Sequence, residues 1–325
     1  MKARFLFLAG AAAATLLTGC ASDGAALSAA DTPAPILILE DAERFAGLMA
    51  GEGLPDADAL QTDYIDKGTR GVAIFTPYRI RDGKTLAVEL AAAPERYRRA
   101  IEVCLPAARA MQAETSATLA NVSVLLDVAA LVPAGKYPNP VPAYIVFGAG
   151  NSGGTAAPDG LVMGLEVLCD GQDSLTIRQV LEEFVAHEVA HSYQGQVRDG
   201  SEGQGLLSMV LTEGFADFVM EQAIGRASLT DAARAEYGLA HEAELWAELQ
   251  ADIEAGVMDQ GDWLYGPGRN GRTNDLGYWI GKRICEAYYA QAEDKTAALQ
   301  AMLKLDDPGA ILDASGYAAR FAPAD

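Results

Sequence analysis

The sequence predicts an α+β, helix-rich fold. A small sheet drawn from residues around 140 to 170 packs on a helix that begins near Thr176, and a helical subdomain lies C-terminal to it. Three observations predict this. Half of the 325 residues are hydrophobic, so a sizeable core is available. Apolar residues recur at helical spacing through residues 94–131 and through most of the chain after 176. Only residues 137–170 change character, to a Pro-rich extended run and two β-rich segments around a stretch of Gly, Ser and Asn.

In chain order, Lys2 and Arg4 precede a short apolar core at residues 5–17, too short to span a membrane. Leu17-Thr18-Gly19-Cys20 then resembles a bacterial lipobox. The resemblance implies a signal peptide at 1–19, cleavage before Cys20 and lipidation of that residue. Ala21 rather than Asp follows, which implies an outer-membrane place facing the periplasm. Residues 20–35, rich in Ala, Ser, Asp and Pro, read as a flexible tether. Residues 36–135 form a mostly helical region, with short helices at 40–50 and 57–68. A strongly helical stretch at 94–131 is broken or kinked at Pro106 and ended by Pro133. Residues 136–325 carry the motifs. Residues 143–147 and 161–168 read as strands, and 148–160 as a loop or wide hairpin between them.

Thr176-Ile177-Arg178-Gln179 reads as a capping box that opens a helix, with Gly195 as its stop. Val180, Phe184, His187 and His191 share its inward face. A glycine-rich connector at 196–205 leads to a second helix, with Met209, Glu213, Ala216 and Met220 on one face and an end near Gly225. Residues 231–256 form an amphipathic helix with His241 on its surface. Residues 261–277 form a loop with Trp263, Tyr265, Arg269 and Arg272. In the helix at 274–291, Gly277 and Gly281 leave one face bare for another helix to approach. Segments near 296–305 and 309–321 close the chain.

The chemistry lies in His187-Glu188-Val189-Ala190-His191. The chain has three His, and two of them are here. Two His four apart on a helix reach one tetrahedral metal ion, and Glu188 is placed to take a proton from a metal-bound water. Catalytic zinc takes three protein ligands and keeps one open position. Glu213 is the candidate third ligand. Asp217, one turn beyond it, is the candidate acceptor that orients a ligand His, because two acids on an otherwise apolar helix need a partner or a metal.

His187-Glu188-x-x-His191 followed by Glu213-Gly-Phe-Ala-Asp217 resembles the gluzincins, the thermolysin and aminopeptidase-N class of zinc metallopeptidases. With Gly277-Tyr278-Trp279-Ile280-Gly281, the chain is also similar, over roughly residues 140 to 320, to bacterial proteins described as predicted zinc-dependent proteases. The resemblance implies a gluzincin-like fold with the small sheet on the zinc-binding helix, and one Zn2+ per chain. It implies peptide hydrolysis with Glu188 as base and Tyr278 as the stabiliser of the oxyanion. It also implies a sheet-edge strand at 161–166, including Met163 and Gly164, that binds substrate backbone. Arg269 and Arg272 are candidates for holding a substrate carboxylate. The same motif also fits a zinc amidase acting on a non-peptide bond, or a catalytically inactive zinc-containing binding lipoprotein. The intact Glu188 speaks against the last, since a structural site needs no base.

The net charge of −21 argues against nucleic acid and against anionic lipid surfaces. The resemblance implies a peptide or protein as substrate, and the N-terminal lipid is the only membrane contact expected. Cys104, Cys169 and Cys285 remain beyond Cys20. An oxidising compartment joins at most one pair, and spacing does not choose it.

Overall fold

The structure, a computed structural model, describes residues 36–198, 205–258, 260–266, 268–269 and 271–321. The segments expected to be a signal peptide and a tether, with Cys20, lie outside the described residues, as does most of the 196–205 connector.

Four strands, β1 (Leu37–Ile38), β2 (Ala143–Val146), β3 (Gly154–Ala157) and β4 (Gly160–Gly164), form one mixed sheet in the order β1-β2-β4-β3. β1 pairs with β2 and β2 with β4 in parallel, Ala143 opposite Leu161 and Val146 opposite Gly164. β3 runs antiparallel to β4 across Pro158-Asp159, Gly154 opposite Met163. Every residue of β2 and β4 is buried, as expected of apolar strands covered on both faces.

Helices α1 (Glu40–Met49), α2 (Ala57–Ala59), α3 (Arg70–Phe75), α4 (Gly83–Ala92), α5 (Pro94–Arg99), α6 (Leu105–Arg109), α7 (Gln112–Leu125) and α8 (Val128–Leu131) precede β2. After β4 come α9 (Leu165–Leu168), α10 (Thr176–Val197), α11 (Leu206–Ile224), α12 (Ala232–Glu254), α13 (Leu276–Gln291), α14 (Lys295–Lys304) and α15 (Pro308–Ser315). α3 and α10 both pack on the sheet, and α7, α11 and α14 pack on α10. The stretch at 94–131 is interrupted as its prolines suggest. Pro106 has no N–H to continue the helical ladder, and a π-helical turn, Ala100–Cys104, stands just before it.

Four local readings are corrected. The strand expected over 161–168 ends at Gly164, and 165–168 turn helical. There Glu166 turns inward, fully buried, and its Oε1 accepts from Gly150 N at 3.2 Å. Burial raises its carboxyl to about 7 even against the lowering effect of the Gly148 and Gly150 amides. Second, β4 is not the sheet edge; β3 covers it. β3 reads Gly-Thr-Ala-Ala, without bulky β-formers, so pairing rather than propensity makes it a strand. Third, the α10 box sits three residues upstream. Asp173 Oδ1 accepts from Thr176 N at 2.8 Å while Thr176 Oγ1 accepts from Asp173 N at 2.9 Å. Fourth, α10 runs through Gly195, which faces Pro158, to Val197.

Cys104 and Cys169 are joined in a disulfide, and Cys285 is a buried free thiol. α11 ends on Gly225 in the left-handed conformation, φ 71°. The bare face of α13 is used: a Cβ on Gly214 would overlap the Gly281 backbone, and one on Gly281 would overlap the Val210 carbonyl. Gly281→Ala should therefore force α11 and α13 apart and cost about 1–3 kcal/mol. A thermal melt checks this, and an unchanged midpoint would contradict the close approach.

Candidate metal centre

α10 places His187, Glu188 and His191, and α11 crosses it with Glu213 and Asp217. His191 Nε2 lies 3.0 Å from His187 Nε2 and 3.0 Å from Glu213 Oε2, with His187 Nε2 3.5 Å from the same oxygen. The other ring nitrogens are engaged. His187 Nδ1 donates to Asp217 Oδ1 at 2.8 Å, and His191 Nδ1 donates to Gln194 Oε1 at 2.7 Å. Gln194 is itself oriented, since its Nε2 donates to the Thr212 carbonyl at 3.1 Å.

This locking decides what the site holds. With each Nδ1 donating outward, the neutral rings turn bare Nε2 lone pairs toward each other and a carboxylate oxygen, and without a metal that crowding draws a second proton onto a ring. Three such donors at 3.0–3.5 Å repel unless a cation lies among them. A tetrahedral zinc with bonds of about 2.0–2.1 Å sets its ligand atoms about 3.3 Å apart, and two imidazoles with one carboxylate are a catalytic zinc donor set. The residues fit the metal.

The electrostatics agree. Burial alone would lower the pKa of His187, yet its bonds to Asp217 and Glu213 raise it to about 10. Burial would lower His191 as well, but the charge and hydrogen bond of Glu213, with the charge of Glu188, together raise it. Burial would raise Glu213, but the two histidines hold it well below the carboxylate range. A site that draws positive charge onto two buried imidazoles suits a cation.

Glu188 is buried and lines the cleft beside the three donors without being one of them. Burial raises its pKa, and His187 and His191 oppose the rise. Gly154 of β3 backs it: any Cβ there would overlap Glu188 Oε1. The Tyr265 hydroxyl donates to Glu213 Oε1, leaving Oε2 for the histidines. The Tyr278 ring stacks on His187, centroids 6.1 Å apart, and the Arg234 guanidinium lies 4.9 Å from the centroid of the same Tyr278 ring. Arg234 also pairs with Asp231 and stands 3.6 Å from Asp217 Oδ2. These groups line a cleft of about 970 Å³, with Arg79 and residues 151–156 as its other wall.

Other candidates lie elsewhere. Arg269 is held by Asp252 and Asp262, and Arg272 by Glu248 at 2.8 Å under the Trp263 ring, so neither lines the cleft. Met163 and Gly164 are buried inside the sheet between β2 and β3, away from the edge. His241 stands at a kink in α12, stacked on Tyr237. The sequence reading missed Gln194, Gly154, Tyr265 and Arg79. Gln194 had a signal, since it stands three residues after His191 on one helix. The others come from segments whose local pattern says nothing of the site.

A family model described as "Predicted Zn-dependent protease (DUF2268)" matches residues 137–307, just over half of the chain. No curated protein and no solved structure matches it.

Asp217→Asn replaces the charged acceptor of the His187 Nδ1 proton with a neutral, weaker amide oxygen. Zinc affinity should fall roughly 10- to 100-fold, read by competition with a chelator. Wild-type affinity in that variant would mean that the bond does not orient the ring.

Proposed function

We propose that this chain, which belongs to the predicted Zn-dependent protease (DUF2268) family, is a metallopeptidase that hydrolyses peptide bonds. His187, His191 and Glu213 would hold the metal, one zinc ion per chain, and Glu188 would act as general base. One observation carries the reading: two imidazole nitrogens and a carboxylate oxygen converge, with a second carboxylate, Glu188, beside them.

When bound, zinc supplies a Lewis acid and acidifies a water at its open position. The remaining work falls to side chains. Glu188 accepts the water's proton on its carboxylate, holds it in a buried setting that favours the protonated form, and passes it to the departing amine. Burial raises the phenol of Tyr278, so it stays a hydrogen-bond donor. Tyr278 is assigned to the oxyanion, because the Tyr265 hydroxyl already serves Glu213. The edge strand β3 takes the role expected of 161–166, offering main-chain groups to an extended peptide along the cleft.

Leu17-Thr18-Gly19-Cys20 supports a lipid anchor at the outer membrane, facing the periplasm. The Cys104–Cys169 disulfide suits that oxidising compartment. No described helix is long and apolar enough to cross a membrane.

A peptide-library assay tests the activity. Cleavage should stop with a chelator and return with zinc; no cleavage by zinc-replete protein would overturn the reading. Glu188→Gln should cut turnover by roughly 10²- to 10⁴-fold with metal content unchanged. A variant that loses its metal instead would make Glu188 a ligand. Cys20→Ser should move the protein from the membrane to the soluble fraction on fractionation. A variant that stays with the membrane after a high-salt wash would refute the anchor.

A further inference from the structure

Two arginines line the cleft. Arg234 is engaged, paired with Asp231, near Asp217 and over Tyr278. Arg79 differs. It is half-buried, its Nε donates to Ser152 Oγ at 3.1 Å, and its guanidinium lies 5.8 Å over the Phe75 ring. Among the described residues no carboxylate lies within ion-pair distance of it, and its two terminal nitrogens make no hydrogen bond. In a chain of net charge −21, acids are abundant, and Arg70, Arg109, Arg226 and Arg269 all find one. Glu188 feels the charge of Arg79 only through space, with no bond between them, and a partly desolvated guanidinium that no acid holds is favoured when a ligand brings one.

Its position relative to the reaction is fixed. Ser152, which accepts from Arg79, donates to the Gly154 carbonyl at 2.8 Å, and Gly154 is the residue behind Glu188. Arg79 is thus tied to the first residue of β3, beside the proposed base. A peptide laid antiparallel on the free edge of β3 runs from Ala157 toward Gly154, so the part that follows the scissile bond ends at Arg79. The planar fork of Arg matches a carboxylate with two parallel hydrogen bonds.

We infer that Arg79 binds a carboxylate of the substrate on the leaving-group side of the cleft, so that the enzyme selects peptides with an anion just after the cleaved bond. The inference rests on the peptidase reading above. The anion is either the C-terminal carboxylate of a short peptide or an acidic side chain.

The test uses zinc-loaded Glu188→Gln protein, in which binding is read by calorimetry without turnover. Two peptides share one sequence, one with a free C-terminal carboxylate and one amidated, and the third is that amide with Asp placed after the cleaved bond. At least one carboxylate peptide should bind roughly 10- to 100-fold tighter than the plain amide. Adding Arg79→Gln should bring that ratio near one, and Arg79→Lys should keep part of it. Preference for the free acid identifies the C terminus, and preference for the Asp peptide identifies a side chain; either supports the inference. A purely structural role for Arg79 would weaken all three peptides alike. An equal affinity for acid and amide before Arg79 is changed, or a ratio that survives Arg79→Gln, overturns it. If the preference is intact but Glu188 protein cleaves none of the three, the carboxylate site stands and the peptidase reading is what fails.

Discussion

The structure depends on the crossing of α10 and α11, which brings one Glu213 carboxylate oxygen within 3.5 Å of two imidazole nitrogens that α10 alone sets 3.0 Å apart. Hydrogen bonds from each Nδ1 remove the usual escape, in which one ring turns or changes tautomer. What remains is a concentration of lone pairs in a poorly solvated place. It is stable where positive charge resides among them, and a divalent ion supplies that charge without the proton conflicts of two facing imidazolium rings.

Elements further out serve that crossing. Gly214 and Gly281 let α13 lie close on α11, which brings Tyr278 over His187. On α10, buried Glu183 accepts from Leu229 N at 2.9 Å and Thr230 N at 3.1 Å, and also pairs with Arg226. Burial would raise its pKa, but these donors outweigh burial and lower it. The bonds pin the start of α12, which carries Arg234 to Asp217, and Asp217 in turn holds His187. A charged contact some distance from the centre thus helps fix the ring that faces the metal position.

Much of this was legible in the sequence for physical reasons. His187, Glu188 and His191 are one helical turn of a single element, so spacing alone places them together. Glu213 and Asp217 stood out because carboxylates on an apolar helix need an explanation. Gly277 and Gly281 announced a close helix contact, which Gly281 makes with α11. What spacing could not supply was the third dimension. Arg269 and Arg272 looked like anion binders because their acidic partners lie mostly on α12, remote in sequence. Strand β4 looked like the edge because the small residues of β3 carry no strand signature. Arg79 belongs to the π-helical turn Thr76–Ile80, more than a hundred residues from the motif, and only the fold brings it to the cleft.

The central claim is that the three converging donors exist to hold one transition-metal ion. Elemental analysis of the mildly purified protein, beside Glu213→Gln, tests it most directly. The amide keeps the shape of Glu213 but not its charge, so packing is nearly unchanged while the donor is much poorer. The account predicts about one zinc per chain in the wild type and a marked loss in the variant, restored in part by excess zinc. A wild-type protein that neither carries nor takes up a transition metal would contradict it, as would a Glu213→Gln variant that binds zinc as tightly as the parent.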